Sequence, residues 1–161
     1  MINTTQNLLK ETALLLKQLN NQEYSAELEV LHGNSIGKHI RHILDLFECL
    51  VESVDNSQLN YDKRNRNPEI ETSVEKATVR IEYINRILPE LDLNQKLNLS
   101  QIYEQSEIQL ETSVGRELMY NIEHAVHHLA IIRIGIEQNF QSIKVSEKMG
   151  IAYSTLQYRE N

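Results

Sequence analysis

Three of the chain's six histidines fall within five residues, in the stretch 121–133, NIEHAVHHLAIIR. His124 and His128 stand four apart. On a helix of 3.6 residues per turn they share one face, one above the other, so both imidazoles can reach one metal ion. Leu118, Ile122, Ala125, Leu129, Ile132 and Ile136 recur at three- and four-residue steps, the pattern of a buried helical stripe. The neighbouring stripe runs Glu117, Tyr120, His124, His128, Ile131 and Gly135. A buried imidazole needs a partner at each ring nitrogen, and two in one stripe raise the question of what satisfies them.

A second pair, His39 and His42, lies in SIGKHIRHILDLFECLVESV. Both flank a core stripe of Ile36, Ile40, Ile43, Phe47, Leu50 and Val54. By helical-wheel angle His39 is the nearer to that stripe, but the residues alone leave the choice between His39 and His42 open. Three neutral imidazoles on two helices suit Zn²⁺, Ni²⁺ or Fe²⁺ and leave positions free for water or substrate. The rival reading is that these are ordinary satisfied or half-exposed histidines. Position 125 is Ala, so the HExxH pattern of zinc proteases is missing. Arg64 and Arg66, in the basic block YDKRNRNPEIE, are candidates to hold a carboxylate or phosphate, against a solvated surface paired to Glu69 and Glu71. Tyr120 and Glu117 could line the site or simply pack and cap. Cys49 reads as a small core residue.

The elements that position these residues read as helices. Leu8, Leu9, Thr12, Leu15, Leu16 and Leu19 form the stripe of a first helix capped by Thr4 or Thr5. Residues 22–34 read as a connection, with room for a helical turn. Ser35 caps the second helix. Residues 55–71 form a polar loop in which Pro68 opposes helix. Thr72 and Glu75 fit a capping box for a third helix with Val74, Ala77, Ile81, Ile84 and Leu88 inward. Residues 91–111 alternate partially, as a loop or weak β-hairpin. Thr112 or Ser113 opens a fourth helix from 114 to about 138. Phe140 onward is a tail, either ordered over the bundle or flexible. The expected fold is all-α: one domain over 1–161, a four-helix bundle with long crossover connections, a small β-hairpin before the last helix and a tail at 139–161.

A chain of 161 residues, 40% hydrophobic and 24% charged, suits a soluble globular domain. Its net charge of −7 points away from nucleic acid and anionic membranes as partners. The N-terminal stretch lacks the pattern of a signal peptide, and no run of apolar residues is long enough for a transmembrane helix. With one cysteine there is no intramolecular disulfide or cysteine-based zinc site, which suits a cytoplasmic location.

With IGKHIRHILDLF and EHAVHHLAIIR both in view, the chain resembles the DinB-like family of four-helix-bundle metalloproteins. The resemblance implies a mononuclear site with His42 as the ligand from helix two, the second His of an HxxH, and His124 and His128 as the HxxxH of helix four. It also implies a homodimer. The block YDKRNRNPEIE and the ending GIAYSTLQY resemble a subgroup of that family, which places Tyr61, Arg64 and Arg66 near the metal mouth. The family's HHRGQ continuation is HHLAIIRIG here. The implied chemistry is activation of a low-molecular-weight thiol or a water against a small electrophilic substrate, in an S-transferase or a hydrolase. His39 or His127 would orient ligands or carry protons, beside Tyr120. The alternative is a non-catalytic metal-binding interaction module or homodimer, and a third possibility is a metal-free bundle.

Overall fold

The computed structural model describes residues 1–160; Asn161, the end of the expected tail, lies outside them. The elements run α1 (Ile2–Leu16), α2 (Asn21–Ser25), α3 (Ile36–Ser53), β1 (Gln58–Leu59), α4 (Val74–Ile87), β2 (Lys96–Tyr103), β3 (Ser106–Ser113), α5 (Val114–Asn139) and α6 (Tyr153–Glu160). Short 3-10 turns lie between them, at Glu29–Leu31, Tyr61–Lys63, Pro68–Glu71 and Leu88–Glu90.

The helices form where apolar spacing and caps agree. The Ser35 side chain accepts from the Lys38 amide, and Ile36, Ile40, Ile43, Phe47 and Leu50 of α3 are buried. The Ser113 side chain accepts from the Arg116 amide at the start of α5, whose Leu118, Ile122, Ala125, Leu129, Ile132 and Ile136 are buried. Each such Leu, Ile or Phe contributes about 1.5–3 kcal/mol relative to exposure. Helix α3 packs on both α4 and α5, so it is the central helix.

Two caps differ from expectation. Helix α1 begins at Ile2, and Thr5 sits inside it, donating its hydroxyl to the Met1 carbonyl. Ser73, not Thr72, caps α4, because the Thr72 hydroxyl is turned back to the Glu69 carbonyl. The connection after α1 holds the short helix α2, closed by a capping box between Asn20 and Glu23. In the tail, residues 153–160 are helical.

The all-α, four-helix-bundle expectation is corrected by a three-stranded mixed sheet of order β1-β2-β3. Strands β2 and β3 pair antiparallel over eight residues each, from Lys96↔Ser113 to Tyr103↔Ser106. Two residues make the turn, and Glu104 takes φ +56, a conformation usually left to Gly or Asn. Strand β1, in the stretch expected to be loop, joins β2 in parallel at Gln58↔Asn98 and Leu59↔Leu99. Pro68 opens a 3-10 turn capped by Asn67, where its missing N–H costs nothing. No helix among the described residues is long and apolar enough to cross a membrane.

The 58–71 segment is clamped to α3. The Tyr24 hydroxyl donates to the Ile70 carbonyl, and Arg41 grips Glu71 at 2.8 Å and Asp45 at 3.0 Å. Gly37 allows the close approach: a Cβ there would overlap the Glu71 carbonyl oxygen. Gly37→Ala is therefore expected to destabilise the protein by about 1–3 kcal/mol through overpacking. Urea unfolding measures this, and an unchanged midpoint would show that the segment does not depend on that approach.

Candidate metal centre

Helices α3 and α5 lie side by side and each brings histidines to their shared face. The buried Asn121 amide donates to the Leu46 carbonyl at 3.1 Å. That bond ties α5 to α3 about one turn from His124 on one helix and from His42 on the other, and it holds the register in which the rings meet.

His42, His124 and His128 come together with one ring nitrogen each within 4.8 Å of the others. His42 Nε2 lies 2.8 Å from His124 Nε2, which lies 3.0 Å from His128 Nε2. Each nitrogen of a neutral imidazole carries either a proton or one lone pair. His124 Nε2 therefore makes one good hydrogen bond and leaves its other contact unmatched. A cation changes this balance, because all three nitrogens can then present lone pairs. Nitrogens bound to one ion at about 2.0–2.1 Å stand about 3 Å apart, so the spacing fits.

His39 approaches from the other side of His128, Nδ1 to Nδ1 at 2.9 Å. If His128 donates its Nδ1 proton to His39, its Nε2 lone pair turns toward the cluster. This is the usual way a second group sets the tautomer of a ligand. His39 Nε2 is then a buried N–H without a partner. The structure thus gives the two helix-two histidines different places: His42 in the cluster, His39 behind His128.

Proton competition is weak. Burial, then the neighbouring His124, Arg64, Arg41 and His39, pulls the His42 pKa down to about 4. Burial and the charges of His42, His124, His39 and His127 pull His128 down to about 3. His124 is lowered by burial, His127 and Arg64, and His39 by burial and His127.

The other expected site residues are divided. Arg64 is half-buried, donates to the Tyr61 carbonyl at 2.7 Å and leaves Nε without a partner. Tyr61 is buried, and its hydroxyl donates to Glu117 at 3.1 Å. The Tyr120 ring stands 5.7 Å from that of Tyr61 and 5.6 Å from that of His124. His127 is exposed, its ring 5.4 Å from that of His128. Arg66 is exposed and turned to the Asp62 carbonyl at 3.3 Å. Burial raises the Cys49 thiol to about 11, so it is not a ready nucleophile.

Sequence reasoning passed over Asn121, Arg41 and Asp45. The i,i+4 spacing of Arg41 and Asp45 is the signal that would have found that pair. The Asp45 side chain is fully buried, and one carboxylate oxygen has no partner.

No family model matches the chain, and no solved structure matches it. Among curated proteins it is similar to FK506-binding protein 5 of Rhizopus delemar, 39% identical over 107 residues covering 62% of this chain and 27% of that protein. The chain thus spans about a quarter of the length of that relative. These findings overturn the resemblance to the DinB-like family, as does the mixed sheet. The short HxxH and HxxxH spacings that carried the resemblance place histidines on one face of any helix, so they can occur without common descent.

The depressed values give a pH prediction. An ordinary imidazole protonates near 6.5 in the unfolded chain. The folded protein binds fewer protons, so these groups contribute fully above about pH 6.5 and their contribution is lost as pH falls toward the folded values. In metal-free protein the His42 and His128 ring signals in an NMR titration should keep their neutral shifts at about pH 5. Midpoints near 6.5 would mean that the rings are not held as described.

Proposed function

We propose that the chain is a metal-dependent enzyme in which His42, His124 and His128 hold one divalent ion, Zn²⁺, Ni²⁺ or Fe²⁺. It would act on a small electrophilic substrate as an S-transferase or a hydrolase. The observation that carries this reading is the meeting of three imidazole nitrogens that hydrogen bonding among themselves leaves partly unmatched. When bound, the ion supplies Lewis acidity that lowers the pKa of a thiol or a water.

The chain's own residues take the remaining roles. His39 holds the His128 ring in orientation. Arg64, with an unpartnered Nε and a charge felt by His42 and His124, receives an anionic group such as a carboxylate of a low-molecular-weight thiol. Tyr61 stays a protonated phenol, raised by burial and Glu117, and packs behind Tyr120. The exposed His127 is placed to carry protons to and from solvent. A small molecule, rather than nucleic acid or membrane, is the partner this assigns, and a reducing cytoplasm suits a thiol cofactor. Elemental analysis of wild type, His42→Ala and His39→Ala tests the reading. About one ion per chain is expected, lost in His42→Ala and kept in His39→Ala with affinity reduced about 10- to 100-fold. Wild-type protein that takes up none of Zn²⁺, Ni²⁺ or Fe²⁺ would end it.

The rival within the same site is a metal-stabilised interaction module or homodimer without turnover. His128→Ala separates them: loss of metal and activity with the protein still folded supports the enzyme, and loss of thermal stability and dimer content supports the module. A second reading comes from the similar Rhizopus protein, whose name says that it binds FK506. A cavity of about 440 Å³, lined by Tyr, Leu and Ile side chains together with polar and charged ones, favours a ligand-binding role. Calorimetric titration with FK506 decides: saturable heat near one per chain supports this reading, and its absence removes it.

A further inference from the structure

The cavity of about 440 Å³ lies between the β2–β3 hairpin and the first turns of α5. Side chains alternate along a strand, and Leu99 pairs with Leu110 as Gln101 pairs with Ile108. One face of the hairpin therefore turns Leu99, Tyr103, Ile108 and Leu110 toward the cavity. Tyr103 and Leu110 are each 58% exposed and Ile108 42%, so an apolar wall stands open where single exposed residues would be unremarkable. Tyr61 and Tyr120 line the opposite side. The Arg116 guanidinium sits 5.7 Å from the Tyr120 ring centroid.

Two features identify the occupant. The charged side chains on the lining are Lys96 and Arg116 against Glu111 and Glu117, so neither sign of ion is favoured. The remaining lining is Tyr61, Tyr103 and Tyr120 with Leu99, Ile108 and Leu110, which suit a flat apolar body, and the neutral Gln101, Thr112 and Ser113, which can hydrogen-bond an uncharged polar substituent on it. Position identifies the purpose. Tyr120 lines the cavity and also stands 5.6 Å, ring to ring, from His124. A single aromatic layer thus separates the cavity from the histidine cluster.

We infer that this cavity binds an uncharged aromatic small molecule and presents it, past Tyr120, to the histidine cluster. This names the class of the electrophilic substrate and rests on the metal-dependent reading above. The Tyr120 ring stands between the cavity and the cluster.

The test uses N-phenyl-1-naphthylamine, an uncharged aromatic probe whose fluorescence rises in apolar surroundings. Wild type should bind it saturably. Leu110→Glu, at a site 58% exposed, places a charge in the wall and should weaken binding about tenfold or more. Tyr103→Lys serves as a second variant with the same expected effect. Ile134→Glu, at a position 48% exposed and outside the cavity, should leave it unchanged. His128→Ala should lose the metal and still bind the probe. Equal binding by wild type, Leu110→Glu and Tyr103→Lys would overturn the inference. So would a wild-type dimer, seen by light scattering, that Leu110→Glu dissociates while the probe never binds; the face would then be a contact between copies. Probe binding that is sensitive to Leu110→Glu, in protein that never takes up metal, would support the cavity and overturn the metal-dependent reading alone.

Discussion

Helices α3 and α5 pack against each other, and Ile36, Ile43, Phe47, Leu118 and Leu129, carried on them, are all buried. Packing at interior density does not tolerate sliding, since even one methylene of misfit is felt. The bond from Asn121 to the Leu46 carbonyl adds a polar lock, whose loss would strand a buried amide at about 1–3 kcal/mol. A shift of one residue along either helix would swing its histidines by about 100° and scatter the cluster. Everything proposed for the histidines depends on this register.

Around that interface the chain surrounds the cluster with charge it cannot easily relax. Asp45 and Glu71 share Arg41, and Arg64 stands half-buried with its own Nε unpaired. Removing one member of a buried pair leaves an uncompensated charge, which costs about 3–5 kcal/mol, whereas the intact pair contributes little net stability. The network is better understood as positioning. It holds the 58–71 segment against α3, and that segment carries Tyr61 and Arg64 to the neighbourhood of the cluster.

The hairpin adds a second environment to the helical one. Strand β3 is an edge strand with a largely exposed surface, protected by Glu107 and Glu111 as edges commonly are. Toward the cavity beside α5 it presents the exposed Ile108 and Leu110. The molecule therefore sets a nitrogen-rich centre beside a hollow of mixed lining, with Tyr120 between them.

Helices α3 and α5 were legible in the sequence because their signals are local: Ser35 and Ser113 cap them, and the apolar residues recur with the helical period. The i,i+4 placement of His124 and His128 follows from the same period. The strands were less legible. Leu97-Asn98-Leu99 and Ile108-Gln109-Leu110 alternate only in part, and the turn at Glu104 lacks the Gly or Asn that announces a hairpin. Strand β1 had no local signature at all, since two residues become a strand only by pairing with β2, about forty residues away. A sequence pattern of two histidine-bearing helices matched a family that the sheet and the comparisons do not support, because short motifs report spacing and not descent. The residues alone left the choice between His39 and His42 open, with His39 the nearer to the core stripe by wheel angle: both lie on one side of the same helix. Only the packing of α3 on α5 decided which ring turns its Nε2 to His124 and which stands behind His128, because rotation and register between two helices are set by long-range contacts.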